Sequence, residues 1–532
     1  MTPTTHGART VIPEPEGRHA LARAVSPGPR GSNSPSRSNS PCRSNSPGRS
    51  VVLTSALVLA LMGCTAVGPD HVPPQVELPD QFDVDPVERT DGEPTPKDPT
   101  PPEPASPEPA SPEAASPWWS EFDDPGLRDA VERVLDSNLD LAAALARLEQ
   151  ARALYAAQTK ARYPQVDATG SATRLELSDV STGGNAVNIS ESYALGLEAA
   201  WELDFWGRVR RQIEAARGNL DAAAEDVHAV RVSLAGAAAL AYVDLRGFEA
   251  RSDIAVRNVE AQEQTLELVQ ARFESGLVSQ LDVVQSRALL EETRAAIPNL
   301  RRGAEAARDQ LAVLSGQPPG ALDEVLGGLA PVPVVPADIS LGAPAELIRR
   351  RPDVRAAERR LAAATAEVGV AEAELYPQLQ LTGAIGLEAT SPGDLFRSGA
   401  GVFSFGPSFR WNLFDRRRLR ALVGFQEAVV VERLAEYRAT VLGAVEDVES
   451  AAETLYAEQR RLGALGRAVD DYREAVELSR VRYGQGLVGF QTVLDAQRSL
   501  FAAEDALQTS RIEIARSAVE LFRAFGGGWP HP

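Results

Sequence analysis

The chain has 532 residues, a formal net charge of −20 and a pI near 4.9. Such acidity argues against nucleic acid as a partner, because phosphate backbones are held by Lys and Arg patches. Five His and two Cys leave little material for catalysis or metal binding; no His or Cys pair stands at metal spacing, and there is no phosphate-binding glycine loop and no nucleophile elbow, so neither a cofactor nor enzymatic activity is expected.

Residues 1–50 are rich in Ser, Pro, Arg and Gly and contain the repeat SNSPSR-SNSPCR-SNSPGR, a composition that cannot bury a core. Val51–Met62 is an apolar run after Arg43 and Arg49. It is too short to span a bilayer as a helix and reads as a signal peptide. The run ends Leu61-Met62-Gly63-Cys64, which resembles the bacterial lipobox, so Cys64 is the expected lipidation site. The leader is long for a signal, and translation is expected to begin downstream of Met1. The stretch Pro69–Pro117 is rich in Pro, Glu, Ala and Ser and reads as a semi-extended tether that lets the lipid sit away from the fold.

The folded part reads as one pattern written twice. Asp124-Pro125 opens a helical pattern that continues, Ala- and Leu-rich, to Ala161. Tyr163-Pro164-Gln165 ends it and starts a strand at Val166–Leu177. A Ser/Gly/Asn loop, Ser178–Glu191, leads to a second strand, in which Tyr193, Leu195, Leu197, Ala199, Trp201 and Leu203 alternate with Ala194, Gly196, Glu198, Ala200, Glu202 and Asp204. From Arg208 to Phe273 no Pro interrupts the chain, and one helix of that length would be roughly 100 Å long. Gly276 turns it into a return helix, Gln280 to Leu314.

The second copy begins at Pro352. It passes Tyr376-Pro377-Gln378 into a strand at 379–389 and another at Val402–Leu413. In the latter, Phe403, Phe405, Pro407, Phe409, Trp411 and Leu413 fall on one side, and Ser404, Gly406, Ser408, Arg410 and Asn412 on the other. An aromatic face opposite a polar one, over about ten residues, suits a strand between lipid and water, although a half-buried strand of a soluble sheet would show the same alternation. Trp411-Asn412-Leu413 echoes Trp201-Glu202-Leu203. A second long helix, Arg416 to Tyr483, turns at Gly486 into a return helix, Phe490 to Phe525. The expected domains are 1–63 leader and signal, 64–120 lipid attachment and tether, 121–318 first repeat, 319–343 linker and 344–532 second repeat.

Four strands cannot close a membrane barrel, and open edges are not tolerated in lipid. Several copies must therefore share one barrel, eight strands from two or twelve from three. The long helices, rich in Ala, Glu and Arg, belong in water, with the Gly276 and Gly486 turns at their far ends.

The lipobox followed by Thr65-Ala66-Val67-Gly68-Pro69-Asp70, the two Tyr-Pro-Gln turns and RYGQGLVGFQTVLDAQRSL resemble the TolC-like outer-membrane efflux proteins, in the lipoprotein branch that serves resistance-nodulation-division pumps. The resemblance implies a mainly α chain with four membrane strands, assembled as a homotrimer: a twelve-stranded β-barrel in the outer membrane continued by a twelve-helix α-barrel in the periplasm. It further implies docking on a periplasmic adaptor and an inner-membrane pump. In that family inward-coiling helices with acidic rings close the periplasmic end. This places Asp495 in such a ring, with Arg498 facing the same way one helical turn on. Three Asp495 side chains about 6 Å apart would repel by roughly 3 kcal/mol per pair at an effective dielectric of about 20, so a shut ring needs Arg498, a cation or protonation. The plainer alternative is an exposed helical ion pair worth about 0.3–0.5 kcal/mol. Asp282 occupies the first repeat's counterpart loop, where Ser279 and Asp282 also fit a capping box. Gly276-Leu277 and Gly486-Leu487 serve as turns in either case; the resemblance adds that these tips touch the adaptor. Two other functions fit parts of the pattern: a duct for protein secretion, and a lipid-anchored adaptor, which should show one helical hairpin and no duplicated aromatic strands.

Overall fold

The computed structural model describes residues 66–76, 78, 79, 82, 84, 117–176, 189–335 and 348–527. All of them fall within the unit Cys64–Pro532. The leader, the signal run, Cys64, the loop 177–188 and most of the Pro-rich stretch lie outside the described residues.

After a 3-10 turn at Trp118–Phe122, Asp124 starts α1 (Pro125–Ser137) by accepting from Gly126 N at 2.8 Å and Leu127 N at 3.0 Å. The helical pattern from Asp124 to Ala161 is made of two helices. Asn138 divides it, because its side chain accepts from Leu141 N at 2.9 Å and so caps α2 (Leu139–Lys160). Then come β1 (Gln165–Glu176), β2 (Ile189–Leu203), α3 (Arg208–Glu274) and α4 (Gln280–Leu314). The second copy supplies α5 (Pro352–Ala373), β3 (Gln378–Ala389), β4 (Gly401–Arg410), α6 (Arg416–Gly484) and α7 (Phe490–Ala524).

The strands form one antiparallel sheet in the order β1-β2-β3-β4. Two strand limits differ from expectation, for reasons of pairing. Ile189 to Ser192, polar enough to read as loop, belong to β2 because they pair with Thr173 to Glu176 of β1. Trp411 to Leu413 lie beyond β4, because its ladder ends where Gln378, the first residue of β3, meets Arg410.

The helices lie side by side in the order α2, α3, α5, α6, with α4 on α3 and α7 on α6. Small residues let them approach: a Cβ at Gly218 of α3 would sit 3.0 Å from that of Ala363 on α5. The main core gathers Trp118, Trp119, Phe122, Leu127, Tyr242 and Leu245 midway along the helices, with Trp118 stacked on Phe522 at 5.4 Å. A second, smaller core sits at the two hairpin tips.

Candidate functional site: the sheet and the hairpin tips

Register sorts the strand residues into two faces. One carries Phe403, Ile385 and Leu197 in one row, Pro407, Leu381 and Trp201 in another, and Phe409, Leu379 and Leu203 in a third. The other carries Ser404, Ala384, Glu198 and Asp167, then Ser408, Gln380 and Glu202. Among the described residues no helix packs along either face, and Phe403, Phe405 and Phe409 are 78, 66 and 74% exposed. A half-buried soluble sheet would have covered its apolar side. Among the described residues both outer strands, β1 and β4, also present an unpaired edge. On β4 alone roughly ten backbone groups face away from β3. At even about 2 kcal/mol each in an apolar medium they would outweigh the stability of a typical domain.

At the helix-side end of the sheet the duplication is visible at atomic level. Trp201 Nε1 donates to Arg162 O at 2.9 Å, and Trp411 Nε1 to Leu375 O at 3.2 Å. Each acceptor immediately precedes Tyr-Pro-Gln. Trp206 adds a third indole bond, to Pro377 O at 2.9 Å, and stacks on Tyr376.

The start of the Pro-rich stretch is not the free tether that its composition implies. Val67 N donates to Trp206 O at 2.9 Å. Arg211 donates to Val67 O at 3.1 Å, to Gly68 O at 3.1 Å and to Asp70 at 2.7 Å, while His71 meets Glu358 at 2.7 Å. Further on, Val76 and Leu78 pack against the cluster of Ile348, Val354, Val441 and Ala444. The segment is held by backbone carbonyls and by close fit, which composition does not report. Cys64 itself lies outside the described residues.

The tips are two copies of one turn. Gly276 and Gly486 have φ of +72° and +74°, the left-handed geometry that glycine takes without strain. Leu277 N bonds Arg272 O at 2.9 Å, and Leu487 N bonds Arg482 O at 2.9 Å. Leu277 and Leu487 project outward and are exposed. Asp282 accepts from Ser279 N at 3.1 Å and completes a capping box at the start of α4. Asp495, exposed near the start of α7, accepts from Gln491 Nε2 at 2.8 Å. Arg498 is exposed as well, and among the described residues it makes no ion pair with Asp495.

The residues that join the two tips were not picked out from sequence. Arg272 donates to Gly484 O at 2.9 Å and lies over the Tyr483 ring at 4.8 Å. Around them Val269, Val283, Phe490, Val493 and Leu494 form the tip core, and Gln497 donates to Thr265 at 2.8 Å. Burial pushes the Tyr483 phenol above its usual pKa, with the Asp282 charge acting the same way and Arg272 opposing. Asp282 and Asp495 thus flank one core, but no bond joins them.

Comparison with known proteins agrees with this geometry. A family model described as outer membrane efflux protein matches residues 130–317 and 343–527. Nodulation protein T of Rhizobium leguminosarum bv. trifolii is 31% identical over 484 residues, covering 88% of this chain and 96% of that protein. The toluene efflux pump outer membrane protein TtgF of Pseudomonas putida is 34% identical over 415 residues, covering 77% and 85%. The solved structure of the outer-membrane channel OprN superposes with a TM-score of 0.78 at 36% identity, covering 87% of this chain and 99% of that one.

Proposed function

The chain belongs to the outer membrane efflux protein family, and from that premise we propose that three copies close edge to edge into a passive export duct. It is an outer-membrane protein whose long helices extend into the periplasm. The observation that carries the reading is the four-stranded sheet that, among the described residues, has two open edges and no helix along either face. Pairing β4 of one copy with β1 of the next satisfies both edges. The same closure sets α2 of one copy beside α6 of the next, the two helices left at the ends of the row. It covers apolar side chains exposed in the single chain, among them Leu145 on α2 and Val431 and Leu442 on α6.

The duct serves small organic molecules, as the names of the toluene and pyoverdine export relatives suggest. Its hairpin tips, led by Leu277 and Leu487, meet a periplasmic adaptor that links it to an inner-membrane pump. Cys64 carries the lipid. Asp495, with Arg498 and Asp282 nearby, narrows the periplasmic mouth. Asp495 and Arg498 are not spent on each other within the chain, so both remain available to neighbouring copies around a shared axis.

Imaging of the detergent-purified particle tests the assembly: a threefold tube is expected, and a water-soluble monomer would sink the reading. For the mouth, Asp495→Ala and Arg498→Ala should each raise leak conductance in planar bilayers severalfold; unchanged conductance in both removes these residues from the gate. Cys64→Ser should abolish acyl labelling while trimers still form.

A further inference from the structure

The two corners where a strand gives way to a long helix share a frame, Trp201-Glu202-Leu203-Asp204 and Trp411-Asn412-Leu413-Phe414, and both enter the helix through a run of arginines. At the first corner the arginines are matched. Arg208 forms a two-pronged pair with Glu202, Arg210 Nε lies 3.1 Å from Asp204, and Arg211 lies 2.7 Å from Asp70 and 2.8 Å from Glu214. At the second corner Asn412 and Phe414 stand where Glu202 and Asp204 stood. Among the described residues only Arg418 has an acid, Asp415 at 2.7 Å. Arg416, Arg417 and Arg420 are exposed, and among the described residues none of them has a carboxylate within ion-pair distance.

The acids that end α5 serve the first corner too. Glu374 helps to hold the Arg208 charge, and Glu372 lies beside Gly68. Next to the unmatched arginines, Leu413 is 57% exposed and Phe414 is fully so, at 103%. Cations and bare apolar side chains therefore stand together where the sheet ends and the helices begin; with the sheet closed in the outer membrane as proposed above, that corner would stand at the level of the phosphates in the periplasmic leaflet.

We propose that this second corner binds the phosphate of an anionic glycerophospholipid, with Arg416, Arg417 and Arg420 on the headgroup and Leu413 and Phe414 among the acyl chains. The proposal rests on the edge-to-edge closure above. That closure lays the next copy's α2–β1 turn beside β4, and with it Lys160 and Arg162, which are also exposed and have no acid partner among the described residues. Five cations from two copies then share one corner. A phosphate between them turns mutual repulsion into a bridge, and the planar arginine fork suits it. An acidic protein partner would account for the arginines but would leave Phe414 bare at the membrane surface.

The test counts lipids retained by the full-length purified particle, by native mass spectrometry, on titration with phosphatidylglycerol or with phosphatidylcholine. With three arginines at the headgroup, the anionic lipid should be preferred by at least about tenfold. Arg416→Gln, Arg417→Gln and Arg420→Gln together should remove most of that preference. Asn412→Glu with Phe414→Asp, which installs the first corner's acids and keeps every arginine, should do the same. An unchanged preference in both variants, or none in the wild type, overturns the proposal. Displacement of the lipid by millimolar inorganic phosphate would reassign the corner to a free anion, and retention of an acidic protein without lipid preference would reassign it to that partner. Particle mass is read in the same spectra, so failure of the trimer is seen separately from failure of the lipid preference.

Discussion

The two halves of the chain fold alike and are finished differently. Each half keeps what the backbone needs: a Trp that closes on the carbonyl before Tyr-Pro-Gln, and a left-handed glycine at the hairpin tip. What differs is the charge placed on that frame. At the strand end, the arginines of the first half are matched by Glu202, Asp204, Glu214 and Asp70 of the docked segment, whereas three arginines of the second half have no acid partner among the described residues. At the tip, the first half supplies the capping box and Arg272, and the second supplies the carbonyl and the ring that Arg272 engages. The frame residues therefore fix architecture, and the charged residues decide which corner is neutralised and which is left to meet something else.

Exchanging matched and unmatched residues sharpens this contrast. The largest effect is expected for Arg211→Ala, since the Arg211 side chain is only 4% exposed and is paired on several sides. Its removal takes the charged donor from the Val67 and Gly68 carbonyls, at a cost of about 2–3 kcal/mol, while the acids left behind are solvated. Amide exchange over residues 66–71 should accelerate together with a lower melting temperature, while Arg420→Ala in the second half should stay within about 0.5 kcal/mol. Equal effects from the two would break the comparison. Next comes Arg272→Ala, which deletes the bond between the tips and the ring contact, about 1–2 kcal/mol in all. It should raise channel leak, whereas its counterpart Arg482→Ala, exposed and without an acid partner among the described residues, should leave leak near wild type.

The smallest effect is a response to alkali. The folded pKa of Tyr483 lies above the ordinary value of 10.0 because burial and Asp282 disfavour the phenolate. The folded tip thus holds its proton more tightly than the unfolded chain. Tip stability should be constant below pH 10 and decline as pH rises beyond it. The first half has Phe273 at the corresponding place, so Tyr483→Phe should abolish the alkaline step in leak conductance; persistence of the step would assign it to another group.

Much of this was legible in the sequence. Alternation gave away the strands at 193–203 and 402–413, the Tyr-Pro-Gln turns pointed to the two before them, and the absence of Pro from 208–273 and from 416–483 gave away the long helices, because all are local signals. The end of β4 was not legible, since Trp411 leaves the sheet only because β3 has run out opposite it. Nor was the Arg272–Tyr483 contact, whose partners lie in different halves and meet only through tertiary packing. Asp282 showed its capping role through the spacing to Ser279. For Asp495 the sequence allowed a helical ion pair with Arg498, and the chain instead sets Gln491 against it.

The seating of residues 66–71 bears on how the protein is moored. A Cβ on Gly68 would come within 2.3 Å of Gly369 Cα, and one on Gly207 within 2.4 Å of the Ala66 methyl, so this strand of chain fits its channel with no slack. Cys64 is two residues from Ala66, a reach of at most about 7 Å. Acyl chains on that cysteine would enter the bilayer hard against the first corner, as a rivet through the rim of the barrel and not as a leash, and any trimer would carry three such rivets at fixed positions around its waist.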